Sequence, residues 1–191
     1  VSGEADSDND PPANARLSWL EITLVPSQPN PALDGADLSF QSEDGTIREI
    51  QLDQSGRFDL SDMSGDKGRL VIGRPYSETD PAIGVSDALD ILRIAVGLDP
   101  ITGPPALDDL AAADFDGNGR VSVADALDVL RFAIGAGPAP EWRFVDPHSD
   151  LAQAIETGTP LQDGIGVDFS AGVPETLDVI AILPGSINGW S

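Results

Sequence analysis

The sequence predicts a mixed α+β chain: a small antiparallel β module followed by a pair of loop–helix units. Three observations carry that prediction. Residues 17–74 hold short apolar segments that alternate with polar residues at period two and are separated by Asp-Gly and Ser-Gly turns. Residues 75–140 hold a duplicated segment with helical spacing. The second copy follows a loop in which oxygen-bearing side chains recur at alternate positions around a glycine.

Residues 1–16, VSGEADSDNDPPANAR, are polar, acidic and proline-containing, and are expected to form a disordered lead or linker. LSWLEITLV then reads as a strand, with Leu20, Ile22 and Leu24 on one face. SEDGTIREIQLD carries the Asp44-Gly45 turn signal, followed by Ile50 and Leu52 at period two. After Ser55-Gly56, RFDL and GRLVIG supply two further short strands, giving four or five in all, with one face packed and one wet.

VSDALDILRIAVG, from Val85 to Gly97, matches VADALDVLRFAIG, from Val123 to Gly135, at nine of thirteen positions and an offset of 38 residues. Leu89, Leu92 and Val96 in the first copy, and Leu127, Leu130 and Ile134 in the second, fall at helical spacing. One apolar stripe per helix is expected to be buried helix against helix. Asp87 and Asp125 suit the first helical turn, and Gly97 and Gly135 suit the C-terminal cap. The segment 141–191 is less regular. Strands are expected around Trp142, Phe144 and Val145 and within GVDFSAGVPETLDVIAIL, with Pro174 on an edge or in a loop, packed on the β module or over the helix pair.

The loop before the second helix is DFDGNGRVSVAD. Calcium is a hard cation that takes about six to eight oxygens from a flexible shell. Asp114, Asp116 and Asn118 supply loop positions 1, 3 and 5, Arg120 supplies its backbone carbonyl at position 7, Ser122 stands at 9 and Asp125 closes the shell at 12. Gly119 at position 6 permits the sharp turn. An ordinary acidic turn with no ion is the alternative, because Asp-Gly and Asn-Gly are common turn formers. Magnesium prefers a smaller, water-rich octahedron, and zinc prefers sulfur or nitrogen, while the chain has no cysteine and one histidine, His148. In the first copy the corresponding residues are Tyr76, Glu78, Asp80, Pro81, Ala82, Gly84 and Asp87. Glu78, Asp80, the carbonyl of Ala82 and Asp87 are candidates for a weak or irregular second site, though no standard site is expected there.

DFDGNGRVSVADALDVLRFAIG, with the degenerate partner ETDPAIGVSDALDILRIAVG, resembles a dockerin over about Tyr76 to Gly135. The resemblance implies two antiparallel calcium-loop helices that dock onto a cohesin, a β-sandwich protein, outside the cell. It also implies partner contacts at loop positions 10 and 11, here Val85 and Ser86, then Val123 and Ala124. The preceding β module resembles the small sandwich or carboxypeptidase-regulatory-like domains placed before some dockerins.

The formal net charge is -23, from 33 acidic and 10 basic residues. Such a surface repels nucleic acid and anionic membranes, and it favours the binding of cations to the folded state. The same acidity also serves solubility alone. No apolar run is long enough to span a membrane. The start at Val1 without Met is expected of a processed or excised product. His148 has no nucleophile motif around it and no glycine-rich phosphate loop is present, so no enzymatic activity is expected. The expected role is a calcium-stabilised attachment module, extracellular or on a cell surface, whose partner is a cohesin-like β-sandwich protein. The alternative is a structural subunit of an extracellular filament, matrix or surface layer that assembles with copies of itself.

Overall fold

The structure, a computed structural model, describes residues 19–24, 33, 35–51, 58–63, 65–172, 174 and 176–187. Residues 1–16, Leu52 and the Ser55-Gly56 turn lie outside the described residues. In chain order the strands and α-helices are β1 (Trp19–Leu24), β2 (Asp37–Ser42), β3 (Ile47–Ile50), β4 (Phe58–Asp59), β5 (Lys67–Gly73), α1 (Val85–Ala95), α2 (Leu107–Ala113), α3 (Val123–Ala133), β6 (Arg143–Val145), α4 (Leu151–Thr157), β7 (Ile165–Asp168) and β8 (Thr176–Ile182). The fold is mixed α+β.

Local chemistry accounts for the elements. Asp44 stands in the β2–β3 hairpin turn, accepting hydrogen bonds from the Ser42 hydroxyl and from the Thr46 amide, the latter at 2.9 Å. Gly45 supplies the φ of +86° that the turn needs. α1 and α3 each end in the same way: the Leu98 amide bonds the Arg93 carbonyl at 2.8 Å, and the Ala136 amide bonds the Arg131 carbonyl at 2.7 Å, over a left-handed glycine at 97 and 135. Two helices escape the sequence reading. α2 follows Pro104-Pro105 and has acidic residues in its first turn. α4 starts at Asp150, whose carboxylate accepts from the Gln153 amide at 2.8 Å, and stops at Gly158 with φ +65°.

The strands form two four-stranded sheets, ordered β4-β1-β8-β6 and β3-β2-β5-β7. Pairing is antiparallel except between β1 and β8, which run parallel from Glu21 opposite Thr176 to Leu24 opposite Val179. The segment 141–191 therefore contributes a central strand, β8, and an edge strand, β6, to one sheet and an edge strand, β7, to the other. Leu38, Phe40, Leu70 and Ile72 of one sheet and Phe58, Phe144, Val145 and Val179 of the other belong to a single buried core. α1, α2 and α3 lie in chain order between β5 and β6, α4 lies between β6 and β7, and α1 packs on α3.

The expected burial of the leucine stripes is corrected. The buried residues of α1 are Asp87, Ala88, Asp90 and Ile91, and those of α3 are Asp125, Ala126 and Val129. Leu89, Leu92, Val96, Leu127 and Ile134 are exposed, and Leu130 is half-buried. Small alanines allow close approach on the inner face, and the aspartates there are held by backbone amides. Each helix thus has two apolar edges, and the bulkier one faces outward.

Candidate metal centre

Asp114, Asp116 and Asp125 each place a carboxylate oxygen within 4.8 Å of the others, a cluster able to coordinate a divalent cation. Among the described residues no other set of three or more His, Asp or Glu side chains does so. Asp114 ends α2, Asp125 sits in the first turn of α3, and the loop between them folds on its own side chains. The Gly119 amide donates to Asp114 Oδ2 at 2.9 Å, the Asn118 amide to Asp116 Oδ1 at 3.0 Å, and the Arg120 amide to Asn118 Oδ1 at 3.0 Å. The Asn118 side-chain amide donates to Asp116 Oδ2 at 2.7 Å. Asp125 accepts from the Asp116 amide at 3.1 Å and from the Ser122 amide and hydroxyl at 2.8 and 2.9 Å. Ser122 in turn caps α3 by accepting from the Ala124 amide.

Burial decides the electrostatics. Asp114 and Asp125 are buried, Asp116 and Asn118 are exposed. Asp114 Oδ1 is buried with no hydrogen-bond partner. A buried, unpartnered carboxylate oxygen is costly unless a cation completes it. Burial pushes the Asp114 carboxyl above its ordinary value, and the neighbouring Asp125 and Asp116 charges push the same way; the Gly119 amide and Arg143 oppose them. These residues fit a hard cation: three carboxylates, one amide oxygen and one hydroxyl, with oxygen donors only. A divalent ion bound there would offset two of the three carboxylate charges and tie α2 to α3. Arg120 is exposed, and its side chain lies against Gly158, so it can serve the loop only through its main chain.

The first copy is built differently. Asp80, which corresponds to Asn118, is buried, and its carboxylate takes both Arg74 guanidinium nitrogens at 2.9 and 2.6 Å, the Trp142 indole at 3.0 Å and the Ser77 amide at 2.8 Å. Asp87, which corresponds to Asp125, accepts from the Gly84 amide at 2.9 Å and from the Ile187 amide at 3.0 Å. Glu78 and Ala82 are exposed. The structure does not bring Glu78, Asp80 and Asp87 into one cluster: the Arg74 guanidinium holds Asp80, and the chain end holds Asp87. Position 1 of this copy, Tyr76, packs its ring edge-on against Phe132 at 5.2 Å between centroids. The sequence marks the loss of the ligand at position 1, but only packing reveals Arg74, which comes from the end of β5, outside the loop.

Val85, Ser86, Val123 and Ala124 are all exposed at the N-terminal ends of α1 and α3. Val85 and Val123 are 60% and 58% exposed, Leu89 and Leu127 46% and 44%, Val96 and Ile134 60% and 67%. The outward faces of the two helices are therefore apolar at matching repeat positions, a feature that their assignment to a buried stripe had hidden. No family model, characterised protein or solved structure matches this chain.

Proposed function

We propose that this chain is an extracellular, calcium-binding attachment module of dockerin-like design. The observation that carries this reading is the matched pair of outward apolar edges, Val85–Leu89–Val96 and Val123–Leu127–Ile134, on two helices whose second copy begins at the cation loop. Spacings of four and seven residues put each set on one helix face. Matched exposed apolar faces on a highly acidic chain mark a surface kept for a protein partner rather than for nucleic acid or membrane. A cohesin-like β-sandwich protein is the partner that the dockerin resemblance implies. The oxygen-only donor set supports calcium over zinc, and the number of protein oxygens supports it over magnesium. Ion binding would fix the start of α3, and with it Val123 and Ala124, which are next to Ser122 and Asp125.

Recovery of partners from a native secretome by the immobilised chain tests this, with calcium and with chelator. The native chain should retain a distinct β-sandwich protein in calcium, and the V123E/A124E double variant should lose it while still binding the ion. Equal recovery by the variant removes this surface from the contact. Light scattering that grows with calcium, without any second protein, replaces attachment by self-assembly.

A further inference from the structure

We propose that Arg143, a residue of β6, is a positioning residue for the cation loop, so that the sheet containing β6 pre-forms the loop before an ion arrives. This rests on the calcium reading above. Arg143 Nη1 donates to the Asp114 carbonyl at 2.7 Å and Nη2 donates to the Phe115 carbonyl at 2.9 Å. Its two donors thus grip loop positions 1 and 2 by their main chain. The guanidinium makes no hydrogen bond to the Asp114 carboxylate, whose Oδ2 accepts from the Gly119 amide and whose Oδ1 has no partner. Gly117 makes the grip possible: an added Cβ there would lie 2.9 Å from Arg143 Nη2. A second clasp closes the far side. Gly119 has φ +89°, and an added Cβ would lie 2.6 Å from Pro160 N and from the Thr159 carbonyl carbon.

The first copy supplies the contrast. There the Arg74 guanidinium bonds the carboxylate of Asp80 itself. In the second copy the guanidinium stands behind the loop, on neutral carbonyls, and leaves the carboxylates for an external ion. One arginine pairs with a loop carboxylate; the other leaves the carboxylates unpaired and holds the main chain. A loop ordered in advance loses less conformational freedom on binding, which strengthens binding. Against this stands the repulsion between guanidinium and ion. Two short hydrogen bonds to the ligand-bearing main chain make ordering the larger effect.

Calorimetric titration with calcium chloride of the native chain, Arg143→Gln and Arg143→Lys tests the proposal, with hydrogen exchange at the Gly119 amide in chelator as a second readout. Arg143→Gln should weaken calcium binding about 10- to 100-fold, the range for loss of an outer-shell support. Gly119 protection in chelator should fall in the variant and hold in the native chain. Arg143→Lys, which keeps the charge and loses the two-pronged grip, should fall between them, and it carries the test if Arg143→Gln fails to fold. Unchanged or tighter calcium binding in the folded variants overturns the proposal while leaving the metal reading intact. A native chain that takes up no calcium removes both.

Discussion

Asp114 carries the clearest conflict at the scale of single residues. Its carboxyl is raised by burial, so without an ion its charged form costs stability at every pH above its folded value, and the cost disappears below the ordinary value of 3.8. An ion reverses the sign, because it binds only the deprotonated cluster of the folded chain. Asp114→Asn should therefore raise the melting midpoint in chelator and lower it in saturating calcium. The loss in calcium should approach the ligand-linked stabilisation, roughly 3–4 kcal/mol at 100- to 1,000-fold over Kd. Thermal melts in the two buffers read both signs, and a shift in the same direction in both would show that Asp114 is not a ligand.

Asp80 presents the opposite case. Burial alone would push its carboxyl up, but the Arg74 guanidinium, the Trp142 indole and the Ser77 amide together outweigh burial and hold it below the ordinary value. Its stabilisation is full above the unfolded value of about 4 and is lost as pH falls through the lower folded value. Asp80→Ala leaves Arg74 buried without this partner and should cost about 3–5 kcal/mol at neutral pH. The deficit should shrink only below about pH 4, and the calcium stoichiometry should stay at one ion per chain. Melting curves of the variant across pH, with one calorimetric titration, check all of this.

At the scale of elements, α1 and α3 carry apolar residues on two edges with different work. Ile91 is fully buried in the core, whereas Leu89, two residues earlier, is largely exposed. Ile91→Ala should cost about 2–5 kcal/mol by leaving a cavity. Leu89→Ala and Leu127→Ala should stay within about 0.5 kcal/mol of the native chain, yet both should weaken partner capture. Denaturant melts separate the first from the other two. A large stability loss from Leu127→Ala would mean that the outward edge is packed after all. Helical periodicity alone finds an apolar edge and cannot say which of two edges turns inward. The alanines at 88 and 126 are weak signals by hydrophobicity, though they decide how closely the helices approach.

For the whole molecule, the order of strands in space differs from their order along the chain. β8 lies between β1 and β6, and β7 covers β5. A fragment of residues 17–74 keeps five strands but loses the neighbours of β1 and β5. It exposes two unpaired edges and should not fold by itself. Removing 141–191 from the full chain should have the same result, seen as loss of dispersed amide resonances. A well-folded 17–74 fragment would show that the sheets do not depend on their C-terminal strands. The segment that carries α1 to α3 is closed at its base, where the Trp142 amide donates to the Arg74 carbonyl, and α2 is tied to the stretch after β8, where the Gly185 amide donates to the Ala112 carbonyl. Chelation should accordingly reduce hydrogen-exchange protection at 114–125 first and leave β2, β5 and β8 protected. Simultaneous loss everywhere would make ion binding and global folding a single event.

The sequence by itself determined the Asp44-Gly45 turn and the strand that follows it, the helices that begin at Val85 and Val123, their glycine caps, and the carboxylates of the second loop. These are local: turn residues, capping residues and ligand spacing act within a few positions of one another, so their physics is complete in a short segment. Only the tertiary structure decided that the leucine edges face outward, that the last strands complete both sheets, that Trp142 joins Arg74 on the carboxylate of Asp80, and that Arg143 grips the loop at Asp114 and Phe115. In each of these the partners lie far apart in sequence or come from different elements. Periodicity carries no record of such a pairing, because which face is buried, and which charge meets which carboxylate, is set by the packing of the whole chain.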